Sequence, residues 1–351
     1  MVLLSSQEMK YTEAPSVSFG IDLGPFFKVS RSLSSFTKVA VEIERLGFDS
    51  VWIPDHGIDP LPTLSFIAAN TTKIKLGTCV LIPDHRHPVL LAREISTLDN
   101  LSEGRFILGL GAGEDKEMFG TMIDRPVARM LETVEILEEL WERPRVAHQG
   151  NFWEIKNFSL ELKPLQKPHP PIWFGASGPR MLRITAEHGE GCFGPQLVPQ
   201  EYKKWLEKLR SITRGIGRNA AEITPAHLPF TSISEDHDAA LEWLEPHVKW
   251  FLLWASQPPS SILQTLGYKE KWEKEADVPR EAIERCFIVG TPEECVNKLK
   301  EFAGSGVRYF VIAIHAPDIE SYFHSLKLYA EEVMPHFKGN GLSANEWQGL
   351  L

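Results

Sequence analysis

Gly104-Arg-Phe-Ile-Leu-Gly-Leu-Gly-Ala-Gly-Glu114 is a short apolar run that opens into a glycine-dense turn and ends on one carboxylate. Phe106 to Leu110 reads as a buried strand. Gly109, Gly111 and Gly113 allow positive φ and let the backbone come close to a bound molecule. Glu114 stands just past a buried strand end, where α/β enzymes place their chemistry. No Lys-Ser/Thr pair follows the glycines, which excludes a phosphate-binding P-loop.

Strand-length apolar runs alternate with helical patterns on both sides of this segment. Strands are expected at Val17 to Leu23, Ser50 to Ile53, Ile74 to Leu81 and Phe106 to Leu110. They resume at Ile172 to Phe174, around Cys192 and Phe193, from Ile223 to Ile233, and at Tyr309 to Ile314. Between them, Leu33, Phe36, Val39, Ala40, Ile43 and Leu46 recur at helical spacing before Gly47, a helix-stopping residue. Further helices are expected at Leu61 to Ala69, Pro88 to Leu101, Pro126 to Trp141, Pro179 to His188, Pro199 to Thr213, Pro292 to Ala303 and Ile319 to Val333. Eight strands with interleaved helices predict βαβ units closed into a (β/α)8 TIM barrel with insertions. Residues 1–338 read as one barrel domain carrying a β excursion at 144–165, turning at Gly150-Asn151, and a helical insertion at about 235–280. Residues 339–351 read as a tail.

The bulk numbers narrow the function. With 351 residues, 43% of them apolar, the chain can bury a large core, and a net charge of −10 argues against nucleic-acid binding. The four cysteines, Cys79, Cys192, Cys286 and Cys295, form no Cys-x-x-Cys pair, which argues against a zinc site or a disulfide scaffold. No apolar run is long enough to span a membrane and no signal peptide is evident, so a cytoplasmic protein is expected.

The residues following each strand gather at one barrel mouth. They are Asp55-His56, then Pro83-Asp84-His85-Arg86-His87, then Glu114, then Gly175-Ala-Ser-Gly178. A histidine with two carboxylates suits acid–base work near neutral pH. Asp55 takes part itself, orients His56 or caps the next segment. His85-x-His87 has no third ligand at suitable spacing, so no metal is expected. The turn before Pro179 reads as an anion site at a helix start, or as an ordinary αL turn.

Five segments carry a family resemblance. Val51-Trp-Ile-Pro-Asp-His56, Leu76-Gly-Thr-Cys-Val-Leu81, Gly104–Glu114, Gly175-Ala-Ser-Gly-Pro-Arg180 and Val289-Gly-Thr-Pro-Glu-Glu294 resemble, in order, motifs of the bacterial luciferase-like superfamily. The nearer resemblance is to its deazaflavin branch, which uses coenzyme F420 and includes methylenetetrahydromethanopterin reductase, glucose-6-phosphate dehydrogenase and phthiodiolone ketoreductase types. Gly178-Pro-Arg-Met-Leu-Arg183 and Pro126-Val-Ala-Arg129 look most like the ketoreductase.

This resemblance implies a luciferase-like barrel, a homodimer, and F420 lying across the mouth. It implies His56 and Glu114 as proton-handling catalytic groups, with Asp55 beside the ring. It further implies a non-proline cis peptide at Cys79-Val80 beneath the ring, with Gly111 and Gly113 letting that ring approach. Gly175, Ala176, Ser177, Gly178 and Pro179 match the turn that holds the cofactor phosphate. Arg285 matches an arginine that the glucose-6-phosphate enzyme uses for substrate, but the lysines accompanying it there have no counterparts here. Sugar phosphate is therefore not the expected substrate. The implied reaction is hydride transfer between F420 and a carbonyl, alcohol or imine-type carbon of a small organic molecule. The alternatives are an FMN-dependent monooxygenase and a non-catalytic flavin-binding barrel.

Overall fold

The computed structural model describes residues 17–113, 123–195, 198–256, 262–268 and 272–337. Glu114, named above as a proton handler, lies outside the described residues.

The order begins β1 (Ser18–Asp22), α1 (Gly24–Ser30), α2 (Ser35–Arg45), β2 (Ser50–Ile53), α3 (Pro60–Ala68), β3 (Lys75–Thr78), α4 (Pro88–Leu101), β4 (Phe106–Leu110) and α5 (Pro126–Glu142). A two-stranded antiparallel sheet follows, β5 (Val146–Gln149) with β6 (Glu154–Phe158), and then β7 (Ile172–Gly175), α6 (Pro179–His188), β8 (Gly191–Phe193) and α7 (Pro199–Gly215). The chain continues through β9 (Thr224–His227), β10 (Phe230–Ile233), α8 (His237–Ala255), α9 (Ile262–Leu266), α10 (Arg280–Cys286) and β11 (Ile288–Gly290). It closes with α11 (Pro292–Gly304), β12 (Tyr309–Ile314) and α12 (Ile319–Leu328).

The parallel strands β1, β2, β3, β4, β7, β8, β9 and β12 pair in that order, and β12 pairs back onto β1. This is a closed eight-stranded (β/α)8 barrel. Proline at the first turn marks where chain leaves each strand loop for a helix, at Pro60, Pro88, Pro126, Pro179, Pro199 and Pro292. Gly47 ends α2 with φ +82, and the amides of Gly47 and Phe48 donate to the carbonyls of Glu44 and Ile43.

Large aromatics fill the barrel interior. Trp52, Ile107, Trp173, Phe193, Tyr309 and Val311 form a cluster separate from the outer core beneath the helices. Trp52 lies 5.2 Å from both Trp173 and Phe193 between ring centroids, and Trp173 lies 5.1 Å from Tyr309. Such indoles fit because the neighbouring strand carries glycine at the paired position, Gly77 beside Trp52 and Gly191 beside Trp173. A Cβ on Gly77 would fall 2.2 Å from Trp52, and one on Gly191 2.3 Å from Trp173. Ser50 Oγ accepts from Trp52 Nε1 at 2.5 Å and shares a hydrogen bond with the Tyr309 hydroxyl at 2.8 Å. This packed layer is the floor of the mouth.

Several strands differ from expectation. The expected strand at Ile223 to Ile233 is two pieces, because Pro229 has no amide to continue the ladder. Its lower piece β9 pairs β8 and β12, and its upper piece β10 pairs β12 and β11. β11 is an additional strand, too short for its periodicity to be read. β3 stops at Thr78, and Leu23 leaves β1 to begin α1, a helix the sequence pattern did not reveal.

Candidate active site

Strand alternation selects the side chains that face the mouth. On β1, Phe19 and Ile21 belong to the outer core, so Asp22 faces inward. It is 6% exposed, accepts the Gly24 amide at 2.8 Å and is hydrogen-bonded by the Cys79 thiol. Burial pushes the Asp22 carboxyl up to about 6, against the pull of the Gly24 amide, Cys79 and Lys28. Burial, with Asp22 adding to it, pushes the Cys79 thiol far up, so it stays protonated. Sequence reasoning missed Asp22, whose only signal was its place at the end of a buried strand.

The peptide between Cys79 and Val80 is cis, as the resemblance implies. Val80 projects over the strand ends, and the glycines opposite make room for it. A Cβ on Gly111 would meet Val80 Cγ2 at 2.4 Å, and one on Gly175 would meet Val80 Cγ1 at 3.5 Å. The same turn uses Gly109, whose Cβ would collide with the Thr78 carbonyl oxygen at 1.8 Å. Within the chain, Gly109 and Gly111 thus seat the Thr78–Val80 segment. Gly113, at φ +77, takes a left-handed backbone beside Ile82.

Asp55 and His56 part company. Asp55 is 9% exposed, and its Oδ2 accepts the Ile82 amide at 3.1 Å and Arg86 Nη1 at 3.4 Å. Arg86 also reaches Asp59 at 2.9 Å and Glu94 at 3.7 Å, so one guanidinium fixes the loops after β2 and β3 together. Asp55 serves this anchor, and His56 stands exposed at the rim. Arg86 was quoted in its loop, yet its role as anchor is visible only in three dimensions.

His85 and His87 diverge: His87 Nδ1 accepts the Val89 amide as the cap of α4, while His85 Nδ1 lies 3.9 Å from Asp55. Asp84 is buried against Arg129, with 3.7 Å between Oδ1 and Nε, and burial raises its carboxyl to about 6 despite that cation.

The turn after β7 lies beside Val80. The Ala176 amide donates to Phe193 O at 3.1 Å, and its carbonyl accepts Trp205 Nε1 at 2.9 Å, so the turn is held from both sides. Ser177 and Pro179 are exposed. Gly178 caps α6 in an extended conformation, not αL, with no side-chain cap, and a Cβ there would meet open space. The first amides of α6 thus face outward with no side chain competing for them.

Arg285 stands elsewhere. Its guanidinium donates to the Leu266 carbonyl, and it lines a groove of about 450 Å³ with Pro199, Glu201, Lys298 and Glu301. That groove is built from α7, α9, α10 and α11, not from the loops carrying Asp55, Val80 or Gly178.

A closed parallel barrel with its titratable groups gathered at the C-terminal mouth defines a (β/α)8 enzyme. Comparison with known proteins narrows the class: residues 7–309 match the family model described as luciferase-like monooxygenase, and the chain belongs to that family. The 5,10-methylenetetrahydromethanopterin reductase of Methanopyrus kandleri is 30% identical over 92% of this chain and 99% of its own length. The phthiodiolone/phenolphthiodiolone dimycocerosates ketoreductase of Mycobacterium tuberculosis is 28% identical over 84% of each chain. The solved structure of the coenzyme F420-dependent tetrahydromethanopterin reductase of Methanopyrus kandleri superposes with a TM-score of 0.81 at 27% identity, covering 92% of this chain and all of that one.

Proposed function

We propose that this chain is a coenzyme F420-dependent oxidoreductase, which passes a hydride between the deazaflavin and a carbonyl, alcohol or imine-type carbon of a small organic substrate. The observation that carries this reading is the pairing of two features at one mouth. Gly178 opens α6 uncapped onto free space, and Gly175, three residues earlier, backs directly onto Val80. An anion-binding turn and an apolar shelf are what a phosphate-bearing planar cofactor needs. The solved Methanopyrus kandleri reductase is coenzyme F420-dependent, which supports F420 in preference to FMN.

The amides of Ser177, Gly178 and Arg180 would take the phosphate, and Val80 with its glycine neighbours would support the ring. Bound there, F420 supplies the hydride. The chain's own residues would manage the accompanying proton and exclude water. Asp22, with its carboxyl raised to about 6, is protonated below that pH and exchanges its proton just under neutrality, so it can both give and take one at Oδ. His56, exposed at the rim, can exchange a proton with solvent. Arg86 and the Ile82 amide hold Asp55, the residue before His56, as a fixed acceptor. Water exclusion falls to the packed Trp52–Trp173–Phe193 floor.

The test is anaerobic oxidation of reduced F420 by a panel of ketones and imines. Acceptor-dependent oxidation with oxygen excluded supports the proposal. Oxidation seen only when oxygen is admitted overturns it in favour of a monooxygenase.

A further inference from the structure

The β12–β1 side of the mouth carries a polar wall that the proton chemistry above does not use. Along β12, Tyr309 and Val311 face the barrel interior, while Phe310, Ile312 and Ile314 face the outer core. The His315 amide donates to Thr231 O at 2.8 Å, so the extended register continues one residue past the strand. Alternation then turns His315 inward, two pleats above Val311, at the level of the mouth.

His315 is 4% exposed. Its ring packs edge-on against Phe230 at 5.5 Å and lies over His247 at 4.6 Å, tilted by 33°. His247 comes from α8, in the insertion, so barrel and insertion each contribute one imidazole. His315 Nε2 has no hydrogen-bond partner among the described residues. A buried ring nitrogen left unpaired is costly unless a ligand meets it. Lys28 of α1 acts on Asp22, His247 and His315 alike, so four elements converge on this wall. Burial first, and cationic Lys28 second, hold the His247 imidazole neutral; burial, then His247, then Lys28 do the same for His315.

We propose that His315 and His247 form a substrate-positioning pair that hydrogen-bonds the oxygen of a largely apolar ketone or secondary alcohol. A neutral imidazole carries one N–H donor and one acceptor nitrogen. It can therefore donate to a carbonyl oxygen or accept from a hydroxyl, matching both redox forms of such a substrate. Phe230, against which His315 packs, is apolar, and the nearby cation is the single ammonium of Lys28, not the guanidinium fork that grips a phosphate. Arg285, the arginine that matched a sugar-phosphate enzyme, lies in a different groove. The pair's role rests on the mouth being the hydride-transfer site proposed above.

The test uses the F420-loaded protein labelled with [13Cε1]histidine, titrated with cyclohexanone and separately with glucose 6-phosphate. The His247 and His315 signals are assigned from His247→Ala and His315→Gln. Cyclohexanone is expected to shift both signals saturably, and glucose 6-phosphate to leave them in place. Loss of one hydrogen bond should weaken cyclohexanone binding about tenfold in His247→Ala and in His315→Phe. His315→Gln, which keeps a polar group there, should recover part of that loss. F420 affinity should stay within about twofold in every variant, since the pair does not hold the cofactor. Cyclohexanone that fails to bind, or that binds without moving either signal, overturns the proposal. Failure of F420 to bind the wild-type protein instead refutes the reading of the mouth on which the pair depends.

Discussion

Asp22→Asn separates charge from geometry at the mouth. Asparagine keeps the volume and an oxygen to accept the Gly24 amide, which bonds Asp22 Oδ1 at 2.8 Å, but it cannot ionise. In the folded chain burial lifts this carboxyl from 3.8 to about 6. The unfolded chain therefore releases its proton at lower pH than the folded one. Folding is penalised progressively as pH rises from about 4 to about 6, and the full penalty stands above that. A shift of about two units corresponds to about 3 kcal/mol at neutral pH. Asp22→Asn should accordingly be more stable than wild type by up to about 3 kcal/mol at pH 8, with the advantage shrinking as pH falls and absent below about pH 4. Urea unfolding at three pH values, with slopes compared to confirm that the unfolding transition itself is unchanged, measures this directly. The same variant should lose hydride-transfer rate, because the proton at Oδ is gone. A stability gain independent of pH, or a loss of stability at pH 8, would refute the reasoning.

Other perturbations follow from the same contacts. Gly111→Ala puts a Cβ 2.4 Å from Val80 and should cost about 1–3 kcal/mol with weakened F420 binding. Adding Val80→Ala should restore part of that loss in a double-mutant cycle; additive effects would show that the two do not touch. Arg86→Met strands the buried Asp55 carboxylate and should destabilise the protein by about 3–5 kcal/mol in thermal and urea unfolding. Arg86→Lys should recover little of this, because one ammonium cannot span Asp55 and Asp59 as the fork does. His56→Ala, at an exposed position, should leave stability within about 0.5 kcal/mol while slowing hydride transfer about 10²–10⁴-fold in stopped-flow measurements.

The barrel was legible because its punctuation is local. Proline at the first turn of α4 and α6 let both helices be bounded residue for residue, and glycine at 47 closed α2. The eight barrel strands were found as apolar runs for the same reason, since strands buried on both faces need no alternation to be seen. β9 and β10 were merged because Pro229 looks like one residue in an apolar run until the pairing partners diverge around it. The site was legible only at the level of loops. Asp55 could be placed at a strand end, but its commitment to Arg86 depends on a loop 31 residues away. Asp22 and Cys79 meet across two strands, and His315 meets His247 across the insertion, so neither pair leaves a mark in local spacing. The glycines of the opening segment show the same limit. Their identity signalled a close approach, but not that within the chain Gly109 meets the Thr78 carbonyl, Gly111 meets Val80 and Gly113 lies beside Ile82.

Selectivity of this mouth for a deazaflavin is the core of the proposed function. Titrating the purified protein with F420 and, separately, with FMN, and following the fluorescence of each, tests it most directly. Saturable F420 binding is expected, weakened in Gly111→Ala and much tighter than any binding of FMN. Tight binding of FMN with none of F420 would contradict it.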